Sequence, residues 1–228
     1  MNRKIYLFDY FTVIESKSLN VEFHSHIAQQ ISISLDSCPL KYETEDGVFE
    51  EMAVYLPSLK KHRFLSEACH NLNILIDDEA SFKLDHKIVE LRDLELEDIN
   101  HNSVEKFLKE LGLLSDKEMD QRIVKLFDII KSYENLDEIK LKDVATKVAL
   151  SESRLLHLFK DEVGVTFRKY ILWQKLKRAV EAQAQGRSIT DVAIAAGFSD
   201  SAHFSKFFKQ SFGLSPKEIF KNSQFIQE

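Results

Sequence analysis

The 228-residue sequence predicts an α+β protein of two domains, a small N-terminal β-barrel or sandwich followed by an all-α domain. Three observations support this fold class. Short extended runs separated by polar residues continue from Ile5 to about Asp77. A helical periodicity follows from about Lys87, and the C-terminal third contains an internal duplication. Since 44% of the residues are hydrophobic, each half has enough apolar side chains to bury a core.

The N-terminal strands are expected within a domain of residues 1–112. Runs such as IYLFDYFTVI, QISISL and LNILI predict strands, and turn signals such as Glu45-Asp46-Gly47 separate them. Helical segments are expected between residues 87 and 133, with a hinge at Gly112–Asp116. An apolar stripe in this region either packs on the barrel or forms a dimer interface. Its members are Val104, Phe107, Leu108 and Leu111.

The C-terminal third, within a predicted domain of residues 113–228, contains one pattern twice. Its first half recurs after 48 residues, with Val144 repeated as Val192. Its second half recurs after 49 residues, with Phe159 repeated as Phe208. The one-residue difference between the copies therefore lies in the middle of the pattern, where a turn is expected.

Each copy predicts a short helix, a tight turn and a second helix, which gives helix-turn-helix units 141–164 and 189–213. Ser151 and Asp200 are suited to cap the two second helices. One face of each second helix is apolar. The opposite faces are polar and partly basic, as a major-groove reader requires. These faces contain Ser153, Leu156, His157 and Lys160 in the first copy and Ala202, Ser205, Lys206 and Lys209 in the second.

The segment between the copies predicts a single long helix. Residues 166–185 contain neither glycine nor proline, and as a helix they would extend for about 30 Å. This length is close to the spacing of about 34 Å between successive major-groove faces, so one chain would read two adjacent grooves. Basic residues in and after this helix, including Arg178 and Arg187, are expected to contact phosphates or to form a solvated face.

Residues Leu141–Phe220 resemble the DNA-binding domain of the AraC/XylS family of bacterial transcription regulators. The most specific similarities are four short motifs. They are Gly197-Phe198, His203-Phe204, Phe208-Lys209 and the GLSP segment Gly213–Pro216. Two positions depart from the family pattern: Phe167 replaces a proline, and Lys175 replaces an arginine, which retains the charge but loses the planar fork.

The resemblance implies which residues contact bases. In the first unit they are Ser153, Arg154, Leu156 and His157, and in the second Ser201, Ala202, His203 and Lys206. Lys206 is predicted to donate to the guanine acceptors O6 and N7. Because Leu156 offers only apolar contact, the second unit is expected to differ from the first in specificity, or the first to tolerate more sequence variation.

The resemblance also implies a cupin-like N-terminal barrel that binds a small effector. His24-Ser25-His26 and the segment Pro57–His62 are similar to the two short cupin motifs, although the usual glycines are absent. Histidines two apart on a strand point to the same side. The candidate effector contacts are His24, His26, Gln30 and His62. Because Gln30 stands where a cupin metal site has a carboxylate, neither a metal nor another cofactor is predicted.

Charge is unevenly distributed along the chain. Residues 1–120 contain 13 basic and 24 acidic side chains, whereas residues 121–228 contain 18 and 13. The net charge of −6 is therefore the sum of an acidic first half and a basic second half, and the basic half suits DNA binding. Two cysteines and no sustained hydrophobic run are typical of a protein in a reducing cytoplasm. The resemblance implies a bacterial protein that is associated with the nucleoid when bound.

Three functions remain open at this stage. The first is a sequence-specific regulator, not an enzyme, that is controlled by a small-molecule effector at the barrel. The second is a ligand-independent regulator whose barrel dimerises or binds a protein. The third is a cupin metal-binding protein with a DNA-binding tail. The expected partners are double-stranded DNA, a second copy of the chain, RNA polymerase and the effector, but no membrane.

Overall fold

The computed structural model describes residues 3–8, 11–77, 99–110 and 119–227. The chain divides into two compact units. The first comprises Met1–Ser115 together with Ser205–Glu228, and the second comprises Asp116–Phe204. The predicted boundary after residue 112, the hinge at 112–116 and the predicted helix around residues 89–99 lie outside the described residues, except for Ile99.

The first unit is built on two β-sheets. The six-stranded sheet has the order β10-β1-β2-β9-β4-β7, and the four-stranded sheet has the order β3-β8-β5-β6. The strands are β1 (Arg3–Leu7), β2 (Phe11–Ser16), β3 (Leu19–His24), β4 (Gln29–Ser34), β5 (Leu40–Thr44), β6 (Gly47–Glu51), β7 (Ala53–Leu56), β8 (His62–Ser66), β9 (Asn71–Ile76) and β10 (Ser223–Gln227).

Strands β4 and β9 form the buried centre of the larger sheet, and every residue of both strands is buried. Alternate side chains point to opposite faces. One face is apolar, with Ile31 paired to Ile74 and Ile33 to Leu72. The other face is polar, and it contains Gln30, Ser32, Asn71 and Asn73. The sequence pattern therefore buries a column of hydrogen-bonding side chains inside this unit.

Helix α1 (His101–Glu110) covers the apolar face of the six-stranded sheet. Its residues Val104, Phe107 and Leu108 are at most 2% exposed and join the same core as Phe11 and Ile31. The sequence left open whether this stripe packs on the strands or forms a dimer interface. The structure assigns these three side chains to packing within the unit.

The two-domain fold class is confirmed, with one difference in the strand arrangement. The strand pairs among the described residues form two separate sheets and do not close into a continuous barrel. The C-terminal strand β10 pairs in parallel with β1, with Ile5 opposite Phe225. Sequence analysis assigned this segment to the helical domain. Its pairing with residues more than 200 positions away has no local signal.

The second unit is helical, and its core is aromatic. Phe127, Phe159 and Tyr170 have ring centroids 5.2 to 6.1 Å apart. The helices are α2 (Gln121–Lys131), a 3₁₀ turn (Leu136–Glu138), α3 (Leu141–Lys147), α4 (Glu152–Val163), α5 (Phe167–Ala184), α6 (Ile189–Ala195), α7 (Ser201–Phe212) and α8 (Pro216–Phe220). Helix α7 begins in this unit and continues into the first, to which α8 also belongs.

The predicted linker helix is confirmed as α5, which Thr166 caps by accepting the backbone N–H of Lys169 at 3.4 Å. The buried face of α5 includes Phe167, Tyr170, Trp173 and Leu176, whereas Ile171 and Val180 are only partly buried. None of the described helices has the length and the apolar composition that crossing a membrane requires.

Candidate DNA-binding helices and effector site

The two helix-turn-helix units share one turn geometry. Ala149 and Gly197, 48 positions apart, both have positive φ, at 54° and 78°. The next residue in each copy, Leu150 or Phe198, donates its backbone N–H to the carbonyl of Ala145 or Ala193 at 2.9 Å. The caps Ser151 and Asp200 are 49 positions apart. The extra residue in the second copy is therefore Ser199, inside the turn as predicted.

The exposed face of α4 contains every residue predicted to contact bases in the first helix-turn-helix copy. Ser151 caps the helix by accepting the backbone N–H of Arg154 at 3.3 Å. Leu155, Leu158 and Phe159 are buried, as predicted. The side chains that remain exposed are Ser153, Arg154, Leu156, His157 and Lys160.

Helix α7 begins in the same way. Asp200 accepts the backbone N–H of His203 at 2.7 Å, and the His203 ring lies against Phe198 at a centroid distance of 5.6 Å. Ala202, His203 and Lys206 are exposed, whereas Ser201 is partly buried. The first turn of α7 is therefore capped and exposed in the same way as the first turn of α4.

Lys209, at the other end of α7, has an ion-pair partner. Its Nζ lies 2.8 Å from Glu22 Oε1 on β3, and this contact raises the pKa of Lys209. Both side chains are largely exposed, so the pair contributes little to stability. Its effect is to direct the lysine towards the strand. The predicted DNA contact of Lys209 remains a prediction.

Lys175 anchors the second turn to α5. Its Nζ donates to the carbonyl of Gly197 at 2.7 Å and also pairs with the Asp137 carboxylate. A side chain on Gly197 would collide with this network, because its Cβ would lie 2.8 Å from Asp137 Oδ2. In the sequence, Lys175 is distinguished only as a replacement for an arginine. The positive charge that this replacement retains was the available signal for this anchoring role.

Arg178 has partners that sequence analysis did not anticipate. Its Nη1 donates to the carbonyls of Tyr133 at 2.6 Å and Glu134 at 2.9 Å, and its Nη2 donates to that of Ile130 at 3.4 Å. These carbonyls lie at and just beyond the end of α2, where backbone acceptors lack helical partners. Arg178 therefore supports the fold of this unit, whereas Arg187 is exposed. For both residues, a phosphate contact remains a prediction.

The histidines predicted to contact an effector lie together inside the first unit. His24 pairs with His62 across β3 and β8, next to a β-bulge, and their ring centroids are 4.2 Å apart. The His26 ring lies 5.6 Å from His24 and 5.4 Å from His62. His26 follows the end of β3, so the tertiary structure and not strand alternation brings it to the cluster.

Burial controls the charge of this cluster. Desolvation is the main cause that lowers the pKa of His62 to about 4 and that of His24 well below its usual range. Desolvation also lowers the pKa of His26. Because a lowered pKa means that the neutral form dominates near pH 7, the three rings offer lone pairs rather than positive charge.

A cavity of about 70 Å³ lies beside the histidines. Three of the predicted effector contacts, His24, His26 and Gln30, line it, whereas His62 does not. Its walls also include Phe212, Leu214 and Ile219 from the C-terminal segment of the same unit.

Known proteins resemble the C-terminal part of this chain in sequence. A helix-turn-helix domain family matches residues 144–222. The Msm operon regulatory protein of Streptococcus mutans is 36% identical over 87 residues, which cover 38% of this chain and 31% of that protein. The transcriptional activator RhaS of Escherichia coli is 37% identical over 84 residues, which cover 36% and 30%. The chain thus matches about a third of the length of these curated relatives.

Solved structures resemble nearly the whole chain in fold. A crystal structure of ToxT from Vibrio cholerae has a TM-score of 0.64 at 15% identity and covers 93% of this chain and 96% of its own. ToxT bound to an unsaturated fatty acid has a TM-score of 0.58 at 15% identity, with coverages of 94% and 97%. The sequence matches therefore identify residues 144–222 as a helix-turn-helix domain that is similar to those of bacterial transcription regulators, and the likeness to ToxT shows a shared fold.

Proposed function

We propose that this chain is a sequence-specific DNA-binding transcription regulator that reads two adjacent major-groove segments, one with α4 and one with α7. The observation that carries the proposal is the repeated turn. It starts two second helices that each bury one apolar face and expose a polar first turn. Recognition helices of this type place their N-terminal residues against base edges. Such a protein acts by binding and not by catalysis.

The two helices offer different chemistry to DNA. In α7, Lys206 and His203 supply hydrogen-bond donors that suit purine acceptors. In α4, Arg154 and His157 supply donors, but Leu156, which is 40% exposed, offers only apolar contact to a thymine methyl group. We therefore expect the half-site read by α7 to be the stricter one.

The first test is a footprint with a variant of α7. The purified full-length protein is used to select genomic fragments, and the bound sites are then mapped by footprinting. Wild-type protein should protect two major-groove patches about one helical turn apart. The His203→Ala/Lys206→Ala variant should lose protection of one patch and at least about tenfold in affinity, because each good base contact contributes about 1–3 kcal/mol.

The matched control for this test is Lys125→Ala, which removes the same single charge from an exposed position on α2. It should footprint as wild type does. Equal losses of DNA affinity in both variants would show that the effect comes from a general loss of positive charge. A wild-type protein that selects no fragments would contradict the proposed function.

A separate measurement tests the phosphate contacts. The logarithm of the DNA association constant falls linearly with the logarithm of salt concentration, by about 0.9 per phosphate contact on duplex DNA. Replacing the exposed Arg187 with alanine should reduce this slope by about 0.9 and weaken binding to all sequences alike. An unchanged slope would remove Arg187 from the DNA interface.

We further propose that a ligand inside the first unit regulates DNA binding. The buried histidine cluster and the adjoining cavity support this part of the proposal. The fatty acid named for ToxT is a poor guide to the ligand, because 70 Å³ is far below the roughly 300–1,000 Å³ of sites for drug-sized molecules. A small ligand is therefore expected.

Cellular location and further partners follow from the proposed function. A regulator of this kind acts in the bacterial cytoplasm on double-stranded DNA, and contacts with RNA polymerase and a second copy of the chain are expected. Sedimentation of the full-length protein would determine its oligomeric state.

A further inference from the structure

We propose that His24, His26 and His62 bind a divalent first-row transition metal ion, with the amide oxygen of Gln30 as a further ligand, and that this ion is the regulating ligand. The binding part stands on the geometry of the cluster alone. The regulatory part rests on the proposed function as a DNA-binding regulator.

The three rings converge and are oriented as metal ligands are. One nitrogen from each ring lies within 4.8 Å of the others. Nδ1 of His24, His26 and His62 lies 2.8 Å from a backbone carbonyl, that of Glu22, Ala28 and Lys60 respectively. Because a carbonyl only accepts, such a contact favours a proton on Nδ1 and a lone pair on Nε2. Metal-binding histidines are held in this way by their outer hydrogen bonds.

His62 provides an independent indication of a ligand. Its Nε2 is buried and has no hydrogen-bond partner among the residues that the structure describes. The residue is only 1% exposed, so bulk water does not satisfy this nitrogen. A buried polar atom without a partner costs about 1–3 kcal/mol. A metal ion bound to the Nε2 lone pair would remove that cost.

A chain of buried hydrogen bonds sets the orientation of the Gln30 amide. The backbone carbonyl of Cys69 can only accept a hydrogen bond, so the Asn71 side chain donates to it from Nδ2 at 2.6 Å. Asn71 Oδ1 then accepts a hydrogen bond from Asn73 Nδ2 at 2.8 Å. Asn73 Oδ1 in turn accepts from Ser32 Oγ at 2.6 Å and from Gln30 Nε2 at 3.2 Å. The amide oxygen of Gln30 is therefore directed towards the histidines.

This orientation places an acceptor on each side of the His26 ring. Gln30 Oε1 lies 3.0 Å from Nε2, and the carbonyl of Ala28 lies 2.8 Å from Nδ1. A neutral imidazole has one donor and one acceptor, so in either tautomer one of these contacts brings two lone pairs together. A cation resolves the conflict. A metal ion bound to both His26 Nε2 and Gln30 Oε1 is such a cation.

The distances suit such an ion. Two ligands at about 2.1 Å from one ion and at a right angle are about 3.0 Å apart, which matches the Gln30 to His26 separation of 3.0 Å. Three imidazoles and an amide oxygen favour zinc, cobalt, nickel or iron over calcium or magnesium. The adjoining cavity leaves room for water or a small anion as an additional ligand.

The strand that carries His24 also contacts the end of α7. Glu22 and Ser25 donate their backbone N–H groups to the carbonyls of Gly213 at 3.2 Å and Gln210 at 3.3 Å. Movement of His24 towards an ion would shift the strand segment that holds the last turn of α7. Because α7 is one continuous helix, this shift would alter how its first turn is presented to DNA.

Metal binding is tested first without DNA. The full-length protein is stripped with a chelator and titrated with Co²⁺, whose visible absorption reports imidazole coordination, and Zn²⁺ stoichiometry is measured by elemental analysis. Wild type should bind about one ion per chain. His62→Gln should reduce the affinity at least about tenfold, as removal of a ligand does at such sites. Gln30→Glu should increase it, because a carboxylate is the stronger ligand.

The control is His70→Gln, which removes a partly exposed histidine outside the cluster. It should bind Co²⁺ as wild type does. Circular dichroism of each stripped variant verifies folding, and Gln30→Glu tests the site with all three histidines retained. No Co²⁺ absorption in wild type, or equal affinity in wild type and folded His62→Gln, would overturn the proposal in favour of a metal-free polar cluster.

Regulation is tested separately from binding. DNA affinity is compared between stripped and Zn²⁺-loaded protein, and a change of at least about fivefold is expected in wild type but not in His62→Gln. Unchanged DNA affinity with bound metal would overturn the regulatory part alone. Metal binding without DNA binding in either form would contradict the proposed function and leave the metal site standing.

Discussion

Replacing Gly213 with alanine is expected to destabilise the first unit by about 3 kcal/mol. Gly213 has a φ of +70°, a conformation that costs an alanine about 1–2 kcal/mol. The added Cβ would also lie 2.5 Å from the carbonyl oxygen of Glu22 and 2.9 Å from His24 Nδ1. Because the nearer atom belongs to backbone, the strand itself has to move, and overpacking of this kind costs a further 1–3 kcal/mol or so. Urea denaturation followed by circular dichroism measures the loss.

Gly186→Ala is the matched control for this substitution. Gly186 has a φ of +79°, but nothing lies within 4 Å of the position of its Cβ. The control therefore reports conformational strain alone and should cost about 1 kcal/mol. If the two variants lost the same stability, the close approach of Gly213 to β3 would be contradicted. The coupling between this strand and α7 would then lose its physical basis.

Arg178→Ala is expected to lower the unfolding free energy of the second unit by about 2–3 kcal/mol. The substitution leaves the carbonyls of Tyr133, Glu134 and Ile130 without their charged donor. Hydrogen bonds to charged groups contribute about 1.5–3 kcal/mol, and a cation near a helix C-terminus adds a favourable dipole interaction. Thermal and urea unfolding of the full-length protein measure the change.

Two further substitutions separate structure from DNA contact. Arg178→Lys retains the charge but loses the planar fork, so an intermediate loss of stability is expected. Arg187→Ala removes an exposed arginine and should leave stability within about 0.5 kcal/mol of wild type. Wild-type stability in Arg178→Ala, accompanied by a reduced salt slope of DNA binding, would show that Arg178 contacts phosphate rather than supporting α2.

The sequence by itself determined the helical half of the protein in most of its detail. The duplication, the caps Ser151 and Asp200, the turn that contains the extra residue and the exposed face of α4 were all predicted correctly. The reason is that helices depend on residues three or four positions apart, and caps and turns depend on close neighbours. Apart from the duplication, which compares residues 48 and 49 positions apart, this information lies between close neighbours in the sequence.

Only the tertiary structure decided the features that join distant parts of the chain. These include the pairing of β10 with β1, the anchoring roles of Lys175 and Arg178, and the convergence of His26 with His24 and His62. The sequence predicted no metal, because Gln30 is not a carboxylate. The orientation of that amide depends on a hydrogen-bond chain from the Cys69 carbonyl, some 40 residues away. Contacts of this kind arise from burial and strand register, which no local pattern specifies.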